Sequence, residues 1–227
     1  MDEFKVRTSR PYDSPLRREQ ARVTERRILA AAERLLLERG YAGVSIAAIA
    51  AEAEVSAQTI YKTFGTKAAL TKRLYDVTLV GDDEPVPLAE RPEFRALVAE
   101  ADPRRALVIY ARIGRLINER LGHLYAVILA GAQAGDEDLR ALVAVTEQER
   151  LTGTCRLAAV LARAGALRPG LTVGRAGDLL WALTAPELFR RLTADRGWTP
   201  DEFEDWLARA MADAVLAARQ SADQAPA

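Results

Sequence analysis

Between residues 55 and 67 the chain reads VSAQTIYKTFGTK. That stretch carries a serine, a glutamine, three threonines, a tyrosine and two lysines, and no acid occurs from residue 56 to 67. These are groups suited to touching a partner. Glutamine can pair with both hydrogen-bonding positions of an adenine edge, threonine can touch a thymine methyl, and lysine can reach guanine or phosphate. A helix built only for structure would favour Glu/Lys pairs and strong helix formers. This one uses Thr and Tyr where Ala or Glu would stabilise more.

Candidates for bond-breaking chemistry are scarce. The chain has one histidine, His123, and one cysteine, Cys155. No HExxH, Glu-x-x-His pair, phosphate-cradling glycine loop or zinc spacing is present. A satisfied histidine and a small apolar cysteine account for the pair more simply than a nucleophilic couple does. The acidic pairs lie on charge-rich helical faces, where solvation explains them. The expectation is a protein that is not an enzyme, with no catalytic residue, no metal ligand and no cofactor. The alternative is a helical small-molecule-processing enzyme whose N-terminal bundle is purely structural.

The elements around these residues read as helices. Ile28, Leu29, Ala32, Leu35 and Leu36 form one stripe between residues 21 and 40, stopped by Gly40. Two short helices follow with the same opening design. Val44-Ser45 precedes IAAIAAEA and Val55-Ser56 precedes AQTIYKTF. Each serine is placed to cap the first turn, and each valine can pack on the isoleucine beyond it, Ile49 or Ile60. Thr66 caps a fourth helix to about Val80, with Leu70, Leu74 and Val77 facing inward. Three helices with a short turn between the second and third fit the helix-turn-helix plan. Ser45, Ser56, Ala57, Gln58, Thr59, Tyr61, Lys62, Thr63 and Lys67 are therefore the expected DNA-binding residues. Lys67 sits in a first turn, where the dipole disfavours a cation but the free N–H groups attract anions. There it would clamp a phosphate, and Tyr61 could donate its hydroxyl to another.

Composition fits an all-α chain. Of 227 residues, 49% are hydrophobic and only 6% aromatic, which favours helices over sheets. No apolar run spans a bilayer, so no membrane partner is expected. The opening MDEFKVRTSR lacks the apolar core of a secretory leader, and a lone cysteine suits a reducing compartment; the expected location is cytoplasmic. Net charge is zero, but residues 1–76 hold 14 Lys and Arg against 10 Asp and Glu, a net +4 at the end that would meet a polyanion.

Residues 21–70, including ILAAAERLLLERGYAGVSIAAIAAEAEVSAQTIYKTFGTKAAL, resemble the DNA-binding domain of tetracycline-repressor-type (TetR-type) transcriptional regulators. The resemblance implies that Ser56 starts the recognition helix. It also implies that Tyr61 and Lys67 hold phosphates, and that Ala57, Gln58, Thr59 and Lys62 face bases or backbone. Glu54 departs from the pattern, since the family usually has glycine in that turn. A left-handed non-glycine residue costs about 1–2 kcal/mol.

The expected domains are an arm at 1–20, a helix-turn-helix head at 21–80 and a helical effector-binding and dimerisation body at 81–227. Arg7, Arg10, Arg17 and Arg18 of the arm could enter a minor groove, or the arm could be a solvated tail. The segment GDDEPVPLAERP, residues 81–92, marks the division. Beyond it, a helical pattern from Asp102-Pro103 to about Ala134 should break near residues 118–122. Further helices are expected over 137–164, over 173–194 with a kink or restart at Pro186, and from Thr199, followed by a polar tail after about Gln220.

In the body, DLLWALTAPELFRRLTADRGWTPDEFEDWLARAMADAVL resembles the closing helices of a subgroup of these regulators, which implies a homodimer's four-helix interface. Apolar rows on Leu179, Leu180, Leu183, Trp206, Leu207, Met211 and Val215 are the expected interface residues; the alternative is that both stripes belong to the chain's own core. The resemblance further implies an effector pocket. Tyr110, Ile113, Leu116, Ile117, His123, Leu124, Val127 and Trp181 are expected to line it, a largely apolar set suited to a lipophilic or aromatic small molecule, or else each is simply core. The expected partners are thus a double-stranded palindromic DNA operator, a second copy of the chain and an unidentified effector that releases a repressor from DNA.

Overall fold

The computed structural model describes residues 15–82, 84 and 86–218. Helix α1 (Pro15–Arg39) begins before the expected residue 21 and is closed by Gly40 at φ +68°. Residues 17–20 are all exposed. Their Arg, Glu and Gln are good helix formers with no stripe to bury, so periodicity could not reveal them. The rest of the expected arm, with Arg7 and Arg10, lies outside the described residues, as does the tail from 219.

The head continues with α2 (Ile46–Glu52), α3 (Ala57–Phe64) and α4 (Lys67–Val80). Each starts on its expected cap: the side chains of Ser45, Ser56 and Thr66 accept from the amides of Ala48, Thr59 and Ala69 at 3.1, 3.1 and 3.0 Å. After a loop with one 3-10 turn (Leu88–Glu90), α5 (Pro92–Ala99) leads to α6 (Pro103–Gln133). The remaining helices are α7 (Glu137–Arg163), α8 (Val173–Leu183), α9 (Pro186–Arg190), which runs into a π turn (Arg191–Asp195), and α10 (Pro200–Val215). Pro186 restarts the chain rather than kinking it. Thr199 and Glu202 form a capping box at the start of α10.

Helix α6 is continuous, against the expected break at residues 118–122. Asn118 and Leu121 are buried there, at 4% and 2% exposure. Packing of that turn outweighs the roughly 1 kcal/mol that Gly122 costs a helix.

The chain folds around two cores. The first joins Ile28, Leu35, Ile49, Ile60 and Leu70 of the head to Leu121, Leu124, Ile128 and Leu139 of α6 and α7. The second gathers Leu107 of α6, Leu157 of α7, Leu180 of α8, and Phe203, Leu207 and Met211 of α10. The division in sequence at residue 81 is therefore not a division in packing: the inner half of α6 completes the head's core.

The second core also corrects the expected interface. Leu180, Leu207, Met211 and Val215 are all at 0% exposure within one chain. Their stripes are used against α6 and α7, and only Leu179, Leu183 and Trp206 of the expected set keep part of their surface open. Period alone cannot say whether a stripe meets its own chain or a copy. No helix among the described residues is long and apolar enough to cross a membrane.

Candidate nucleic-acid interface and ligand cavity

Helix α3 is held by one buried side chain, Ile60, with Phe64 and Val55 half-buried beside it. Ala57 and Thr59 are also partly buried, Ala57 against the first core, and the remaining residues face outward. Gln58, Tyr61 and Lys62 are exposed and have no intramolecular partner among the described residues, Tyr61 with 54% of its surface open. The hydroxyls are less free. Ser56 Oγ caps the Thr59 amide and lies 2.8 Å from Thr59 Oγ1, while Thr63 Oγ1 donates to the Thr59 carbonyl at 2.9 Å. Ser45 likewise serves α2 as its cap. The helix therefore offers an amide, a phenol and an ammonium outward, and uses its small hydroxyls to hold its own shape.

Lys67 stands differently from its expected role. Its ammonium donates to the Tyr41 and Val44 carbonyls at 2.9 Å each and lies 3.8 Å from the centre of the Tyr41 ring. Burial lowers its pKa, with Asp136 at the α6–α7 corner pulling the other way. The side chain ties the start of α4 to the turn between α1 and α2, and one N–H is left for anything outside. The ammonium is thus turned inward as a tie: among the described residues the Val44 carbonyl has no backbone donor, the Tyr41 carbonyl has only the Val44 amide at 3.3 Å, and both lie within reach of the four-carbon stem.

Glu54 adopts φ +50°, the one non-glycine residue with positive φ among those described. The turn from α2 to α3 does need the left-handed conformation that glycine adopts freely. Arg27 spans the site, donating to the Ala53 carbonyl at 2.7 Å and to Glu54 Oε2 at 2.9 Å. That pairing places a guanidinium beside the Glu54 carboxylate, which precedes α3.

A cavity of about 300 Å³ lies where α4 leaves the head. Leu79, Leu88, Phe94, Ile113, Leu116 and Ile117 form its apolar wall, and Asp82, Arg91, Glu93 and Arg120 stand around it. Both terminal nitrogens of Arg91 bond Asp82, at 2.5 and 2.7 Å, which pulls the Asp82 carboxyl down to about 2. Arg120 Nη1 donates to the Val80 carbonyl at the end of α4, at 2.7 Å. Of the expected lining residues, Ile113, Leu116 and Ile117 are here. Leu124 and Val127 belong to the first core, Tyr110 to the second, and His123 is exposed. Arg91, Arg120, Leu79, Leu88 and Phe94 were not among the expected residues. The 81–92 segment carried the one signal that could have found Arg91, an arginine closing a run of acids just before a helix-starting proline.

Trp181 is committed elsewhere. Glu147 accepts from Tyr125 Oη at 2.6 Å, Trp181 Nε1 at 2.9 Å and Arg150 Nη1 at 2.8 Å, and Arg150 Nη2 donates to the Trp181 carbonyl at 2.8 Å. This network cross-ties α6, α7 and α8, with the cation beside the indole supplied by Arg150 itself. No group of His, Cys, Asp and Glu among the described residues is arranged to hold a metal ion.

Comparison with known proteins bears first on the head. Residues 28–74 match the family model for bacterial regulatory proteins of the tetR family, a span that runs from the middle of α1 through α2 and α3 to the middle of α4. Among solved structures, the chain is similar to NalD, the secondary repressor of the MexAB-OprM multidrug efflux pump in Pseudomonas aeruginosa. The two share 25% identity over 88% of this chain and 98% of NalD, with a TM-score of 0.68. A protein from Saccharomonospora viridis in complex with choline shares the fold at 21% identity, over 86% of this chain and 98% of that one, TM-score 0.64. A transcriptional regulator from a Rhodococcus species does so at 20%, over 84% and 95%, TM-score 0.58. No curated protein matches the chain significantly.

Proposed function

We propose that this chain, a member of the TetR family of transcriptional regulators through its residues 28–74, acts as a homodimeric repressor on a palindromic operator and is released from it by a small molecule. The observation that carries the reading is the outward face of α3: Gln58, Tyr61 and Lys62 exposed and without a partner among the described residues, on a helix whose first turn is already capped by Ser56. Gln58 is assigned to base edges, and Tyr61 and Lys62 to phosphates or neighbouring bases. One such helix touches little of a duplex. A two-fold dimer sets a second about one DNA turn away, ~34–36 Å, and doubles the grip.

The open parts of Leu179, Leu183 and Trp206 on α8 and α10 support dimerisation through that face. The apolar wall of the cavity supports a lipophilic effector, bound better by a conformer that separates the two reading helices wrongly for DNA. Nothing about the Glu147 cluster favours an added cation, since Arg150 already fills that role.

Selection from random duplexes at several salt concentrations tests the reading. The expected result is an inverted-repeat consensus, with affinity falling steeply with salt. Q58A should relax the preference at one position per half-site by about 1–3 kcal/mol, whereas Y61F should weaken all sequences alike. A chain that selects no sequence, or that selects one without an inverted repeat, contradicts the proposal.

A further inference from the structure

We infer that the cavity at the end of α4 takes an amphipathic small molecule bearing a carboxylate or a comparable anionic oxygen, and that this ligand acts on α4 through Arg91 and Arg120. The inference rests on the effector reading above and gives that effector a chemical class and a point of action.

The wall supplied by Leu79, Leu88, Phe94, Ile113, Leu116 and Ile117 suits an apolar body. The polar side of the cavity decides the head group. Asp82 is fully engaged, since its oxygens accept from Arg91 and one of them also from the Glu84 amide at 2.9 Å. What remains is a donor without an acceptor. The Nε–H of Arg91 is the one buried side-chain polar atom without a partner among the described residues, and Arg91 lines the cavity. Leaving such a donor unsatisfied is costly, so a turn of the Arg91 side chain that brings this buried N–H to a ligand's acceptor gains what the free protein lacks. Arg120, also at the wall, spends one nitrogen on Val80 and keeps others free. Of the two carboxylates around the cavity, Asp82 is already bound to Arg91 and Glu93 is open to solvent, which screens it, so the free guanidinium N–H groups favour an anionic oxygen over a cation.

The same residues make the site mechanical. Val80 carries the last carbonyl of α4, and Arg120 holds it. The next residue, Gly81, is left-handed at φ +96°, and a Cβ there would collide with the Arg120 guanidinium. An anion that draws Arg120 toward the cavity releases that carbonyl and frees the helix end to shift. Helix α4 then carries the shift to its other end, where Lys67 is tied to Tyr41 and Val44 beside α3.

The test uses decanoate, decan-1-ol and decyltrimethylammonium as probes on the full chain. Isothermal titration calorimetry measures binding, and fluorescence anisotropy follows a duplex chosen by the selection above. Decanoate should bind one per chain, about tenfold tighter than decan-1-ol, the worth of one charge-assisted hydrogen bond, and the ammonium probe more weakly than either. R91K keeps the charge opposite Asp82 but removes the Nε–H, and should abolish the preference for decanoate over decan-1-ol. L116W fills the cavity and should abolish both; if its circular dichroism shows misfolding, R91K still decides. Absence of decanoate binding, equal binding of acid and alcohol, or a preference that survives in R91K overturns the site. Decanoate binding that leaves duplex affinity unchanged overturns the action on α4. Because calorimetry needs no DNA, a chain that binds decanoate but no duplex refutes the operator reading and leaves the site standing.

Discussion

Lys67 reaches back over 26 residues of sequence to donate to the carbonyl oxygen of Tyr41 at 2.9 Å while lying 3.8 Å above that residue's ring. The pairing places Lys67 among the groups that hold the head together, and it separates two lysines that composition treats alike. Replacing Lys67 by Met should cost about 1–3 kcal/mol of stability, since it leaves the carbonyls of Tyr41 and Val44 without that donor. The dependence of duplex affinity on salt should stay unchanged. Replacing exposed Lys62 by Met should leave stability within about 0.5 kcal/mol and lower the salt slope by about 0.9 for each phosphate no longer neutralised. Thermal melts and salt titrations of both variants check the assignment.

Glu54 to Gly should be neutral or stabilising by up to about 1 kcal/mol. Relief of left-handed strain, about 1–2 kcal/mol, is offset by the greater freedom of the unfolded glycine chain and by loss of an exposed pair with Arg27. Glu54 to Val, which is β-branched, should be destabilised by more than about 1 kcal/mol. Calorimetric melts of the two variants should therefore move in opposite directions or differ by several degrees.

Helices α7 and α8 approach closely where Gly177 faces Cys155. A methyl group at 177 would lie 2.6 Å from Cys155 Sγ and 3.1 Å from its Cα. Gly177 to Ala should destabilise by about 1–3 kcal/mol through overpacking. Adding Cys155 to Ala should recover part of that loss but not all of it, because the backbone of residue 155 still crowds the new methyl. A double-mutant cycle in denaturant reads the coupling directly.

Burial raises the phenols of Tyr41, Tyr75 and Tyr110 from the ordinary 10.0 to about 12. A raised folded pKa means that the unfolded chain loses these protons first. Their contribution to stability is whole below about pH 10 and is lost as the pH climbs through about 12. Melting temperature should accordingly fall across that window. Absorbance at 295 nm should show a delayed tyrosinate component that collapses to ordinary titration when urea is added.

Local chemistry was legible in the sequence. Ser45, Ser56, Thr66, Asp102 and Thr199 could be read as caps because a cap needs only its own next three residues. The outward face of α3 could be read because Ile60 and Phe64 fix which side is buried. The failures share a cause as well. The direction taken by the Lys67 side chain depends on carbonyls more than twenty residues away. The continuity of α6 through Gly122 depends on what packs against Leu121. The stripes on Leu207 and Met211 are the same whether they face α6 or another subunit. The cavity joins Leu79, Arg91 and Leu116 from three separate elements, and no spacing within any one of them announces it.

The shared first core has a consequence for how such proteins can be recombined. Leu121, Leu124 and Ile128 belong to the later half of the sequence, yet they roof the reading head. A chimera cut at residue 80 and fused to a foreign sensor would strip that roof and expose Ile28 and Leu70 to water. A graft that also carries the inner stretch of α6 and the first turns of α7 would keep them covered, so the transplantable module is a discontinuous one.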